Sequence, residues 1–184
     1  MVPVTPEDMG EQSAELLRSF RVPLQPGLTD TELATVQANH GFEFCPEHKA
    51  FLQTAVPTGR GWPNWRTDSD ELREQLAAPS DGVLFDVLHN NFWPADWGPR
   101  PGNQYSRDEH ARERLALLPK LIPVYGHRYL PAAPAPEPAP VLSVVQTDVS
   151  CYGRDLLRYL RHEFGGQARN TDYARPVEFW SDLA

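Results

Sequence analysis

Proline limits this chain more than any other residue, because 19 of its 184 residues are proline. Proline fixes the backbone angle φ and has no N–H to donate, so it interrupts helices and strands alike. The segment 131–140 is half proline, which predicts a polyproline-like loop that forms no core. The sequence therefore predicts short helices and strands joined by long, ordered loops.

Helix signals recur between these prolines. Thr29 can cap a helix whose capping box is completed by Glu32, and Gly41 then ends that helix. A short helix capped by Thr67 or Ser69 is expected to end at Pro79, and a separate helix or buried strand then follows, with a helix favoured. The predicted helices cover 6–20, 29–40, 46–56, 69–78, 80–89, 108–119 and 153–164.

Two apolar runs have the composition of strands. The first is KLIPVYGHRYL, where Pro123 favours the edge of a sheet, and the second is PVLSVVQTDV. We expect one strand in each run, within 121–128 and 141–147. The predicted fold class is α+β, a small and mostly antiparallel sheet with packed helices and long ordered loops rich in Pro and Trp.

The chain is expected to form one domain over 1–184, since its length suits a single hydrophobic core. Residues 1–27 would form a helical extension at the N-terminus. The tail 165–184 carries Phe179 and Trp180, whose burial would dock it on the domain.

Charge and cysteine content narrow the classes of function. A net charge of −8 argues against a nucleic-acid binder. It suits a basic protein partner, but an acidic surface also serves solubility, which is the favoured interpretation. Cys45 and Cys151 are too few for a disulfide framework or a zinc site, so both are expected to be free thiols. The N-terminal residues lack a signal peptide pattern and no run is long enough to span a membrane, which favours the cytoplasm. No cofactor is expected.

The segment 85–101, FDVLHNNFWPADWGPRP, is the densest in residues that could do chemistry. Tryptophans in proline-rich loops generally anchor the loop to the core, because burial offsets the entropy of ordering it. We expect Phe85, Phe92 and Trp93 to belong to the fold. The expected polar surface that binds a partner consists of Asp86, His89, Asn90, Trp97, Arg100, His127, Arg128 and Tyr129.

An alternative use of the same segment is a metal site. Asp86 and His89 are three positions apart and would share one face of a helix, and His127 could add a third ligand. Such a site would make the protein a metal-assisted hydrolase or another small-molecule enzyme. The simpler interpretation is that Asp86 and His89 form hydrogen bonds to the surrounding loop.

Several segments, in order, resemble the SUKH superfamily, the Smi/Knr-type domain of cell-wall assembly regulators. The resemblance begins with LTDTELATVQANHGFEFCPEHKAFL, in which Phe42, Phe44, Pro46 and Phe51 match the family pattern. GWPNW resembles the aromatic segment that follows, and IPVYGHRY the family's Ile-Pro strand. The resemblance covers about residues 28–164 and ends in the closing strand and final helix, 140–164.

The resemblance implies a protein-binding module without catalytic activity. Bacterial members commonly look like immunity proteins that neutralise polymorphic toxins, many of them nucleases, whereas fungal members regulate cell-wall assembly through protein contacts. A basic toxin domain would suit the acidic chain by charge. A regulatory or structural protein with no toxin partner is the third hypothesis.

Overall fold

The computed structural model describes residues 4–184 and has the predicted α+β class. Within these residues, six α-helices accompany two antiparallel sheets. The helices are α1 Pro6–Ser19, α2 Asp30–His40, α3 Pro46–Thr54, α4 Asp70–His89, α5 Gln104–Ala116 and α6 Leu156–Glu163. The strands are β1 Leu24–Pro26, β2 Ala55–Pro57, β3 Leu121–Tyr125, β4 Arg128–Pro131, β5 Val141–Val145 and β6 Asp148–Gly153.

The main sheet has four strands in the order β3-β4-β5-β6. Each run predicted as one strand is a hairpin, so the expected number of strands was too low. Gly126 turns the first hairpin with φ of +54°, and Gln146 turns the second with φ of +56°. Tight hairpin turns need residues in the left-handed region. Glutamine is not among the residue types, such as Gly, Asn and Asp, that predict a turn of this kind. In the antiparallel pairing of β4 with β5, Arg128 lies opposite Ser143, and this register places both turns at the same end of the sheet.

Helices cover both faces of this sheet, because successive strand residues point to opposite sides. Ile122 and Leu130 face a cluster built with α1, α2, α3 and α6, which includes Leu17, Phe51 and Leu160. Leu121 and Leu142 face a second cluster, built with α4, α5 and the C-terminal tail. The sheet is therefore the middle of three layers.

Helix α4 continues through Pro79, where the sequence predicted an end. Proline has no N–H for the carbonyl of Gln75 and weakens the helix locally. Burial of Leu72 on one side and Val83 on the other holds both halves in one helix. The predicted helix over 80–89 is thus the second half of α4, and Ser69 is the cap, accepting a hydrogen bond from the N–H of Leu72 at 3.2 Å.

The predicted starts and ends of the other helices agree with the structure in some places and differ in others. The Thr29–Glu32 capping box is present, and Gly41 ends α2 with φ of +65°. Helix α3 stops at Thr54, because Ala55–Pro57 pairs with Leu24–Pro26 as a short strand instead of continuing the helix. Helix α5 begins at Gln104, before the predicted start, where Asn103 caps it by accepting from the N–H of Ser106 at 2.8 Å.

Both ends of the chain contribute to the core. Helix α1 packs on α3 and α6 and buries Leu17 completely, while residues 1–3 of the predicted extension lie outside the described part. The tail docks as expected, since Trp180 is buried and donates its indole N–H to the carbonyl of Pro119 at 2.9 Å. The proline-rich loop also enters the core through Ala132 and Ala139, contrary to expectation.

Among residues 4–184 there is no helix with the length and apolar character that crossing a membrane requires.

Candidate functional site

Three of the residues predicted for a binding surface are buried. Trp97 is 4% exposed and Tyr129 3%, and both pack in the cluster on the α4 side of the sheet. Asp86 is 4% exposed, so the expectation of a surface residue is wrong for all three. The pattern of apolar residues in the segment did not show which aromatic side chains point inward.

Asp86 joins helix α4 to the turn between β5 and β6. Its carboxylate accepts from the N–H of Thr147 at 3.0 Å and from the Thr147 hydroxyl at 2.7 Å, and it also accepts from the Asn90 amide. Burial, the largest influence, would raise the pKa of Asp86, but these hydrogen bonds together outweigh it and the pKa is lowered. The carboxylate is therefore a structural link, but its main partner is a distant turn and not, as the simpler interpretation had it, the surrounding loop.

Exposed residues lie on the second half of α4 and in the two hairpin turns, which share one end of the sheet. Gly82 lies so close to the second turn that a Cβ atom there would be 2.8 Å from the Cα of Gln146. The N–H of Val144 donates to the carbonyl of His127, which joins the first turn to β5. We call this region the turn-end surface, and it consists of Phe85, His89, His127, Val145 and Gln146.

The turn-end surface contains two large apolar side chains in contact with solvent. Phe85 is 46% exposed and Val145 is 51% exposed. Phe85 was expected to belong to the core, and this prediction is wrong. Its ring lies 4.6 Å from the ring of His89, measured between centroids, so the two exposed rings pack on each other.

Arg128 is a largely buried neighbour of this surface. Its guanidinium donates to the Ser143 hydroxyl at 3.2 Å and lies 3.6 Å from the Glu163 carboxylate. It also packs 3.9 Å from the centre of the Tyr152 ring, a favourable cation–π distance. Arg169 has the same distance to that ring, so two guanidinium groups flank Tyr152. Arg128 is thereby held in place by three contacts, with Ser143, Glu163 and Tyr152.

The remaining predicted residues are exposed. Asn90 follows α4 and uses its amide on Asp86, and Arg100 lies in the loop before α5. His127 is exposed in the first turn, where partial burial, followed by the charge of Arg128, lowers its pKa. A lowered pKa favours the neutral imidazole at pH 7.

Two loop tryptophans act as anchors, Trp93 as predicted and Trp97 in place of its predicted role on the surface. Trp93 donates its indole N–H to the carbonyl of Gly98 at 2.8 Å, and its ring meets Trp97 edge-on at 5.4 Å. Trp97 stacks on Phe179 of the tail at 5.9 Å. Arg107, which the sequence did not single out, bonds the carbonyls of Pro101 and Gly102 at 3.0 Å each.

The alternative metal ligands do not form a cluster. In residues 4–184 no group of three or more His, Cys, Asp or Glu side chains is arranged to hold a metal ion, and Asp86, His89 and His127 are no exception. Asp86 instead has its two oxygens engaged by Thr147 and Asn90.

Helix α3 carries two buried titratable residues that the sequence analysis missed. Glu47 accepts from the N–H of Ala139 at 3.1 Å, and burial raises its pKa to about 7. His48 lies among aromatic rings, 5.0 Å from Phe44 and 6.0 Å from Trp65, and burial lowers its pKa to about 3. Burial also raises the pKa of Cys45 to about 12, so this thiol is unreactive.

Three shallow cavities follow one another along α4, with volumes of about 300, 260 and 270 Å³. The first lies between α2 and Trp65, and the second lies between the C-terminus of α2, Pro79 and the start of β3. The third lies between α4 and α5. His40 borders the first two, while Ser80 and Lys120 border the last two.

No family model, curated protein or solved structure matches this chain.

Proposed function

We propose that this protein is a non-catalytic protein-binding module that uses the turn-end surface. The observation that carries the proposal is the exposure of two large apolar side chains near one end of the sheet, Phe85 on α4 at 46% and Val145 at the end of β5 at 51%. Large apolar side chains that stay in water cost free energy, which a partner recovers by covering them.

The rigidity of the surface supports recognition of a protein. Phe85 is on a helix and Val145 on a strand, and the hydrogen bonds of Asp86 to Thr147 fix the two elements relative to each other. A preorganised surface loses little conformational entropy on binding. Each exposed apolar side chain has a polar neighbour, since His89 packs on Phe85 and Gln146 follows Val145, and mixed apolar and polar surface is typical of protein interfaces.

We infer that the partner is basic and is a toxin domain of nuclease type, which the protein would neutralise in the cytoplasm. The net charge of −8 supports a basic partner, and it includes a solvent-facing row on α1, formed by Glu7, Asp8, Glu11 and Glu15. The resemblance of residues 28–164 to the SUKH superfamily supports the immunity role. The free thiols of Cys45 and Cys151 suit a reducing compartment.

The second candidate function is that of a regulatory protein without a toxin partner. Such a protein would use the same surface, and only the identity of its partner would differ. The metal-assisted hydrolase is not proposed, because the Asp86 carboxylate is occupied by Thr147 and Asn90.

Equilibrium binding to a panel of purified, catalytically inactivated nuclease toxin domains tests the proposal. We expect one basic member to bind with a 1:1 stoichiometry and to bind more weakly at high salt, as charge complementarity requires. If no member binds, the toxin-neutralising role is rejected. Binding only to a non-toxin protein at the turn-end surface would favour the regulatory role.

A further inference from the structure

We propose that the second cavity along α4 binds the carboxylate of a small apolar acid. This cavity has a volume of about 260 Å³ and is separate from the turn-end surface, since none of the residues that line it belongs to that surface. Small-molecule pockets start at about 300 Å³. The ligand is therefore expected to be no larger than a single-ring aromatic acid or a short-chain fatty acid.

The charges around the cavity point to an anion. Its ionisable lining residues are His40, Arg73 and Lys120, all of them basic. The two neighbouring cavities differ, because Glu32 and Asp68 line the first and Asp81 lines the third. His40 already lies 3.6 Å from the carboxylate of Asp68, so the positive charge available to an anionic ligand comes from Arg73 or Lys120.

Lys120 is the cation best placed to meet a carboxylate. Arg73 is already paired with Asp68 at 2.9 Å and with Asp70 at 2.7 Å. The Lys120 ammonium donates to the carbonyls of Gly41 at 2.8 Å and His40 at 3.3 Å, and it forms no ion pair within residues 4–184. An ammonium has three donors, so one remains for a ligand.

Ser80 supplies a second polar contact. It borders the same cavity as Lys120, and its hydroxyl makes no hydrogen bond to any other residue of the described chain. Serine in a helix can bond a carbonyl of the preceding turn, but this one does not. A free hydroxyl and a free ammonium donor that line one cavity can each bind an oxygen of a carboxylate.

The rest of the lining is apolar and suits the body of the acid. Phe42, Leu121 and Ile122 are core residues whose surfaces reach the cavity, and Leu76 and Pro79 form the wall on α4. The Pro79 ring adds apolar surface to this wall. A pocket lined mostly by apolar side chains, with a few polar groups, orients an amphipathic acid.

Titration calorimetry with benzoate and hexanoate tests the proposal, with benzamide and hexanamide as neutral controls of the same shape. We expect saturable binding of an acid and at least about tenfold weaker binding of its amide, because a charge-assisted hydrogen bond is lost. Amide ¹⁵N–¹H NMR shifts should localise to residues around Pro79 and Lys120. Absence of saturable binding, or equal binding of acid and amide, would reject the proposal.

Three variants identify the site. Lys120→Met should weaken binding of the acid by about tenfold or more, and Ser80→Ala by a smaller factor. Leu76→Trp should fill the cavity and abolish binding, with folding checked by circular dichroism. Lys49→Met removes the other lysine of the chain, which is exposed on α3, and should leave binding unchanged. Unchanged affinity in both Lys120→Met and Leu76→Trp would show that the acid binds elsewhere.

The test is independent of the proposed toxin binding. Replacement of Phe85 and Val145 should not affect the affinity for the acid, and Lys120→Met should not affect the affinity for a protein partner.

Discussion

Asp86 and Thr147 are joined by two hydrogen bonds, from the Thr147 N–H at 3.0 Å and from its hydroxyl at 2.7 Å. They connect the last turn of α4 to the hairpin turn after β5, two elements that are far apart in sequence. Since Phe85 precedes Asp86 and Val145 lies two residues before Thr147, this pair sets the geometry of the turn-end surface.

Asp86→Ala should therefore destabilise the protein. The substitution leaves the Thr147 donors without partners, and we expect a loss of about 2–3 kcal/mol in the free energy of unfolding. Thr147→Val is the matched control, because it keeps the backbone N–H and removes only the hydroxyl, at a cost of about 1 kcal/mol. Urea denaturation at pH 7 measures both. Equal, small losses in the two variants would show that Asp86 is not a structural link.

Glu47 should make stability fall as pH rises. Its pKa is raised from 4.5 to about 7 in the folded protein, so the folded state holds a proton that the unfolded state has lost between these values. The stabilising contribution is complete below pH 4.5 and is lost as pH rises to about 7.

Glu47→Gln removes this dependence and keeps an oxygen for the N–H of Ala139. Relative to wild type, the variant should gain on the order of 3 kcal/mol in unfolding free energy between pH 4.5 and 7.5. Urea denaturation across this range gives the difference. A difference that does not change with pH would contradict the burial of an ionisable carboxyl at this position.

His48 should have the opposite effect. Burial lowers its pKa from 6.5 to about 3, so its contribution to stability is complete above pH 6.5 and is lost as pH falls toward 3. As the pH falls from 6.5 to 5, the unfolding free energy of His48→Gln should therefore rise by about 2 kcal/mol relative to that of the wild type. The measurement is thermal or urea denaturation at the two pH values. A wild-type protein that loses no stability relative to the variant would mean that His48 titrates normally.

Trp180 should hold the tail on the core. It is 1% exposed and its indole N–H donates to Pro119 at 2.9 Å, so Trp180→Ala should cost about 3–5 kcal/mol. Tyr173→Ala, in the same tail but at a side chain 93% exposed, should change stability by less than about 0.5 kcal/mol. Urea denaturation compares them. Similar values for the two variants would mean that the tail is not docked in solution.

Local chemistry explains which elements of the fold could be predicted. The Thr29–Glu32 box and Pro46 act through neighbouring residues, and both helices begin where the sequence placed them. Pro79 and Gln146 could not be interpreted locally. Tertiary burial keeps α4 intact across Pro79, and packing against Gly82 holds Gln146 in a left-handed turn, so the strand count was too low.

Of the five residues of the turn-end surface, the sequence analysis assigned only His89 and His127 to a binding surface. The sequence identified 85–101 as exceptional, and the exposed surface begins there. Whether Phe85 or Asp86 faces outward depends on the rotation of α4 about its axis, which the contact with the β5–β6 turn sets. The burial of Glu47 and His48 could not be predicted from the sequence, because polar residues in a short helix are expected to face solvent.

The most direct test of the protein-binding role is the affinity of the Phe85→Ser, Val145→Ser double variant for a toxin domain that binds the wild-type protein. We expect at least a tenfold loss, since buried apolar anchors dominate interface energies. Leu117→Ser is the control, because Leu117 is 79% exposed but lies outside the turn-end surface. If the double variant binds as tightly as wild type, the partner does not use this surface and the proposed role of Phe85 and Val145 is wrong.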